Sequence, residues 1–181
     1  MNDGLIPRRY AKALLKFAQE KGAEKRVYLL MQTLCDSFAA QPDLDKAVSN
    51  PFVSDADKTQ LLMTASGAKA DDSVFADFIK LMIINHRIDM MRSVALAYLE
   101  IYRKANNIFL VEITSAAPMG EKEMKRLKDI IAAHVGDATV EYTTDVDPDL
   151  IGGFVVKIDS ERLDASIKNE LKQLRLKLLS K

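Results

Sequence analysis

A two-domain α+β chain, with an N-terminal six-helix bundle and a small C-terminal mixed α/β domain, is expected from three features of the 181-residue sequence. Apolar residues recur at helical spacing, element after element, as far as residue 105. At Asn106-Asn107 the pattern changes to alternating β-branched and aromatic stretches. Only 7 Gly and 5 Pro are present, as in a globular composition. Domains of 1–105 and 106–181 follow from that change of period.

Pro7 suits a first helical residue, where a missing N–H costs nothing. Tyr10, Ala13, Leu14, Phe17 and Ala18 then recur at helical spacing, and Gly22 supplies a left-handed stop. Val27, Leu30, Met31, Leu34 and Phe38 mark a second helix, which Gln41-Pro42 ends. A short third helix fits Asp43 to Ser49, because Asn50-Pro51 disfavours continuation. Ser54 is placed to cap a fourth from Asp55 to Ala65, with Asp55 and Asp57 at its positive end. Asp71 to Ile84 carries Phe75, Phe78, Ile79 and Met82; Ile88 to Ala105 carries Met91, Val94, Tyr98 and Tyr102. That sixth helix would run for about 27 Å.

Beyond residue 106, Ile108 to Thr114 reads as a strand with Phe109, Val111 and Ile113 on one face. Pro118 and Gly120 turn the chain into a helix striped by Met124, Leu127 and Ile131. Thr139 to Thr144 and Gly153 to Ile158 alternate again, and Leu163 fits a short fourth strand. Ile167, Leu171, Leu174 and Leu178 line a terminal helix.

Composition removes several function classes. The longest apolar run, Val94 to Leu99, is six residues, against about 20 for a membrane-spanning helix. Met1 to Tyr10 has no apolar core of the secretory kind. One cysteine cannot form an internal disulfide. Lys and Arg number 26 and Asp and Glu 26, with neither half of the chain strongly polarised, which argues against a polyanion as main partner.

Candidates for chemistry are few. His86 and His134 stand far apart with no second ligand at metal spacing, and Cys35 lies beside an apolar stripe. Asp145, Asp147 and Asp149 open like a calcium loop, but Leu150 and Val156 stand where glycine and glutamate are required. Gly152-Gly153 precedes a strand rather than a helix, so the pair suits a tight turn better than a phosphate cradle. Asp164 or Ser166 is expected to cap the terminal helix. The basic residues Lys168, Lys172, Arg175, Lys177 and Lys181 have no interleaved aromatics of the kind an RNA strip uses. What remains is apolar surface. The fifth helix is apolar nearly all round, as a helix at a bundle centre or one with a second partner would be.

Two stretches resemble a known family. Arg9-Tyr10-Ala11-Lys12-Ala13-Leu14, then Phe17-Ala18, is similar to the opening of the delta subunit of bacterial F-type ATP synthases, called OSCP in mitochondria. Leu150-Ile151-Gly152-Gly153-Phe154-Val155-Val156, then Asp164-Ala165-Ser166-Ile167 and Leu171, resembles its C-terminal signature. Asn50-Pro51-Phe52-Val53 and Thr114-Ser115-Ala116-Ala117-Pro118 fall where similar segments occur.

The resemblance implies a non-catalytic stator subunit without cofactor or metal. Its bundle would hold N-terminal helices of alpha subunits on the catalytic head, and its C-terminal domain would contact b subunits of the peripheral stalk. It implies one copy in a hetero-oligomer, with no nucleic acid and no membrane insertion. The expected location is peripheral, on the cytoplasmic face of a bacterial inner membrane. On the first helix the alpha-binding role is carried to Tyr10, Ala13 and Leu14. On the fifth it is carried to Phe75, Phe78 and Ile79 by helix order. Gly152, Gly153, Asp164 and Ser166 match the signature and are assigned to shape. A small helical RNA-binding regulator is the alternative reading, and steep salt dependence of RNA binding would distinguish it. An enzyme would instead need polar groups converging on a cleft.

Overall fold

The computed structural model describes residues 4–69, 71–136, 138–158 and 161–179, with side chains as far as residue 177. Residues 1–3, the side chain of Leu178, and Lys181 therefore lie outside the described part. The fold is α+β: eight α-helices and a four-stranded mixed sheet among the described residues. The helices are α1 (Leu5–Glu20), α2 (Glu24–Ala40), α3 (Pro42–Ser49), α4 (Asp55–Ser66), α5 (Ser73–Ile84), α6 (Met91–Ala105), α7 (Glu121–Val135) and α8 (Ile167–Leu179). The strands are β1 (Ile108–Ser115), β2 (Thr139–Val146), β3 (Gly153–Ile158) and β4 (Glu161–Ser166). The chain divides into two compact units, Met1–Tyr102 and Arg103–Lys181, at the last turn of α6 and just ahead of the change of pattern at Asn106.

Local chemistry explains where the helices start and stop. Ser54 Oγ accepts the Asp57 N–H at 3.1 Å, and Gly67 closes α4 with a left-handed φ of 68°. α1 begins ahead of Pro7, which sits in the first turn where no intrahelical donor is needed. α5 begins later than Asp71, because the Asp72 carboxylate is engaged elsewhere. It accepts from Nε and Nη2 of Arg26 at 2.8 Å each and from the Lys69 N–H at 2.8 Å. That pairing holds the Asp72 carboxyl below its ordinary range. The first turn of the sixth helical segment, Ile88–Met90, is 3-10 in form.

In the first unit α5 packs against α1, α4 and the 3-10 turn, while α2 packs against α1, α3 and α4. Phe75, Ile79 and Met82 of α5 are fully buried, as are Met31 and Leu34 of α2 and Tyr98 of α6. The Tyr98 hydroxyl donates to the Glu24 carbonyl at 3.2 Å, and burial pushes its pKa up, so it stays a neutral donor. Tyr28 and Tyr102 stack with ring centroids 4.3 Å apart. Arg8 grips both carboxylate oxygens of Glu100 at 2.6 and 2.9 Å, joining α1 to α6 at the surface.

In the second unit the strand order is β2-β1-β3-β4. β1 and β2 run parallel, as a connection through α7 allows; β1–β3 and β3–β4 are antiparallel. Val111 and Ile113 of β1 and Val156 of β3 form the core with Leu127 and Ile131 of α7. Phe154, Ile158, Val140 and Tyr142 pack around them. The opposite face of the sheet carries charge, with Lys157 Nζ 3.2 Å from Glu112. Gly153 has a φ of 76°, and a Cβ there would run into the carbonyl oxygen of Ala165 on β4.

Two outcomes follow. Gly153→Ala combines an unfavourable φ with a backbone collision, and costs about 1–3 kcal/mol in urea unfolding followed by the second unit's signals. Leu14→Asp places a charge at a position only 2% exposed. It lowers stability by at least about 3 kcal/mol, measured by far-UV circular dichroism in urea.

Candidate partner-binding surfaces

Charged and polar side chains of Glu112, Thr114, Asp147, Lys157 and Arg162 line a cleft of about 200 Å³ in the second unit, where Lys157 pairs with Glu112 at 3.2 Å. His86 is exposed, in a positive-φ conformation just past α5. The exposed His134 lies 3.3 Å from Glu161. Cys35 is half-buried on α2. Asp145 and Asp147 accept nearby backbone N–H groups, of Val146 at 2.9 Å and of Asp149 at 3.0 Å, and so shape the turn after β2. No three His, Cys, Asp or Glu side chains among the described residues are grouped to hold a metal.

The six positions expected to bind a partner helix separate into two sets. Leu14, Phe75, Phe78 and Ile79 are core, none more than 4% exposed. Side chains so buried present almost no area to the solvent in this structure. Tyr10 is half-buried and Ala13 exposed. With Ile6 and Phe17, also half-buried, they form a stripe along α1 spaced four, three and four residues apart. On α5 the open side carries Leu81 and Ile84, the latter 74% exposed. These two were visible in the sequence only as part of an all-round apolar helix. Periodicity locates stripes but does not say which one faces inward.

In the second unit the paired glycines make the junction of β3 with α8. The Ile167 N–H donates to the Gly152 carbonyl at 3.0 Å, and a Cβ on Gly152 would strike the Ile167 side chain. Ser166 caps α8, its Oγ accepting the Asn169 N–H at 3.2 Å. Asp164 holds the cap in turn. Its Oδ1 accepts the Ser166 hydroxyl at 2.6 Å and the Ser166 N–H at 3.2 Å, while Arg162 reaches Oδ2 at 3.1 Å. The Ser166 hydroxyl, then its N–H and Arg162, hold the Asp164 carboxyl below the usual carboxylate range. The stabilising contribution of the ionised carboxylate is therefore present at neutral pH and is lost as pH falls through that lowered value.

Just before the glycines, Ile151 adopts a φ of 67° with its side chain 66% exposed. A β-branched residue in that region is strained, and here the strain accompanies an outward apolar side chain. Ile151 and Phe154 face Met119, Leu127 and Ile130 across a cleft of about 650 Å³. Beyond it Ile167, Leu171 and Leu174 are all open to solvent. The sequence marks that stripe, but no described element covers it.

The family model described as ATP synthase delta (OSCP) subunit matches residues 6–178. A protein of Bacteroides thetaiotaomicron named ATP synthase subunit delta is 38% identical, with 100% of this chain and 97% of that protein covered. One of the same name from Phocaeicola vulgatus is 35% identical, covering 98% and 96%. Among solved structures, a chain of the cryo-EM structure of the Toxoplasma gondii mitochondrial ATP synthase hexamer matches with a TM-score of 0.72. At 21% identity over 96% of this chain and 97% of that one, it is a likeness of fold. The chain belongs to the ATP synthase delta (OSCP) subunit family.

Proposed function

We propose that the chain is a non-catalytic stator subunit of an F-type ATP synthase. It links the catalytic head to the peripheral stalk, so that proton-driven rotation is coupled to ATP synthesis rather than dragging the head round with the rotor. The observation that carries this reading is the family match across residues 6–178, which takes in both units together. In it, residues 1–105 act as a six-helix bundle on the head and residues 106–181 meet the b subunits. The protein is one copy in a hetero-oligomer. It sits peripherally at the cytoplasmic face of a bacterial inner membrane; no helix among the described residues is long and apolar enough to cross a membrane.

The N-terminal helices of alpha subunits lie along Tyr10 and Ala13 of α1 and the adjoining side of α5. Leu14, Phe75, Phe78 and Ile79 act from beneath, as the packed floor that keeps the two helices rigid. A stator resists torque by slow dissociation, which apolar anchors and simultaneous engagement of two partners supply without any reactive group. Ala13 is small enough for close helix approach, and a larger side chain there would hold the partner off.

Titration calorimetry of the full chain with a peptide of the cognate alpha-subunit N-terminus tests this placement. Ala13→Asp and Tyr10→Ala each weaken binding by about tenfold or more, equivalent to about 1.4 kcal/mol, with unchanged circular dichroism. Folded variants that bind as tightly as the unaltered chain would show that the surface lies elsewhere.

A further inference from the structure

The larger cleft of the second unit, about 650 Å³, falls within the roughly 300–1,000 Å³ of sites that take small molecules. One wall is a single face of α7, with Met119 just ahead of the helix and Glu123, Arg126, Leu127 and Ile130 along it at helical spacing. The other wall is Ile151 and Phe154, beside the glycine pair. Ile130 and Ile151 are 59% and 66% exposed, so the walls stay apolar up to the mouth. Ile151 is kept there against its own preference. Its φ of 67° and ψ of −36° do not suit a β-branched residue. The backbone is pinned on both sides of it. The Ile151 N–H donates to the Pro148 carbonyl at 3.0 Å, and the Gly152 carbonyl accepts the Ile167 N–H at 3.0 Å. Strained residues that the surrounding structure holds in place cluster at ligand clamps.

Charge selects the occupant. Arg126 makes no ion pair or hydrogen bond among the described residues, although Glu123 lies one turn before it on the same face. The Glu123 carboxylate is turned instead to the start of α7, where it accepts the Gly120 N–H at 3.4 Å. The guanidinium is therefore the free charge of the cleft, and it asks for an anion. Glu123 stands close enough to disfavour a second negative charge on that anion. We propose that this cleft binds a free medium-chain fatty acid, with its chain between Ile130 and Ile151 and its carboxylate on Arg126. The chain supplies most of the affinity, Arg126 sets the sign of the head group, and Glu123 limits it to a single charge. The site lies wholly within the second unit and does not depend on the chain's place in a stator.

Decanoate, titrated calorimetrically into the full chain below its micelle concentration, binds saturably. Octanoate, shorter by two methylenes, binds about tenfold weaker, since burying each methylene is worth about fourfold. Decyltrimethylammonium, with the same chain and the opposite charge, binds weaker than decanoate by about fivefold or more. Arg126→Gln weakens decanoate by about threefold, the scale of an exposed ion pair, and leaves neutral decanol unchanged. Ile151→Gly removes the clamp and its strain together. Its decanoate affinity falls by at least about fivefold while its urea midpoint holds or rises. The proposal is overturned by an absence of saturable decanoate binding, by equal affinity for the two charged head groups, or by normal binding in Ile151→Gly. Binding only to phosphatidylglycerol vesicles assigns the cleft to a membrane lipid and overturns it as well. So does a dimer in sedimentation that Ile130→Ser abolishes, which assigns the cleft to a second copy.

Discussion

The burial of one face of α5 is the constraint on which the first unit depends. Phe75, Ile79 and Met82 are fully removed from water, and α1, α4 and the 3-10 turn at Ile88 each pack against this helix. A helix this apolar cannot stand at the edge of a unit without neighbours on several sides. The polar contacts then fix orientation more than they supply stability. Arg26 meets Asp72 as a bidentate pair, while Arg8 reaches both oxygens of Glu100 from one nitrogen at the surface, where geometry is worth more than net energy. Tyr98 does the same from inside, spending its only donor on the start of α2.

The second unit meets the same demand with fewer elements. One helix, α7, covers one face of a four-stranded sheet whose other face carries Glu112, Lys157 and Arg162. A helix about 10 Å across spans roughly two strands at their usual spacing, so a single one leaves part of that face open. The cleft beside Ile151 and Phe154 is the open part. The glycine pair is what lets β3, β4 and α8 approach each other there. Gly153 brings its backbone against Ala165, and Gly152 accepts the first N–H of α8. A side chain at either would push the terminal helix off its cap.

Period and punctuation carried the order of elements through to the structure, because both are local properties. Ser54 announces α4 by its own hydroxyl, and the alternation of Val111 and Ile113 with polar neighbours announces β1. Boundaries moved where a tertiary partner took a local signal away, as when Arg26 drew Asp72 out of the first turn of α5. The surface was harder to read for the same physical reason. Leu14 and Ala13 sit side by side in one motif, yet one is core and the other open, and only the position of α5 decides between them. For α8 the stripe of Ile167, Leu171 and Leu174 was plain, but a stripe does not state whether its cover belongs to the same chain.

That ambiguity has a physical meaning in this protein. A subunit of a hetero-oligomeric complex cannot bury every apolar side chain, because each one hidden in its own core is an anchor lost to a neighbouring subunit. The two units divide the problem differently. In the first, Phe75 and Phe78 are sealed inside, while Ile6, Tyr10 and Phe17 stay half-buried and Ala13 exposed along α1. In the second, whole aliphatic side chains stay uncovered on α8, with Lys168 and Arg175 near them in sequence.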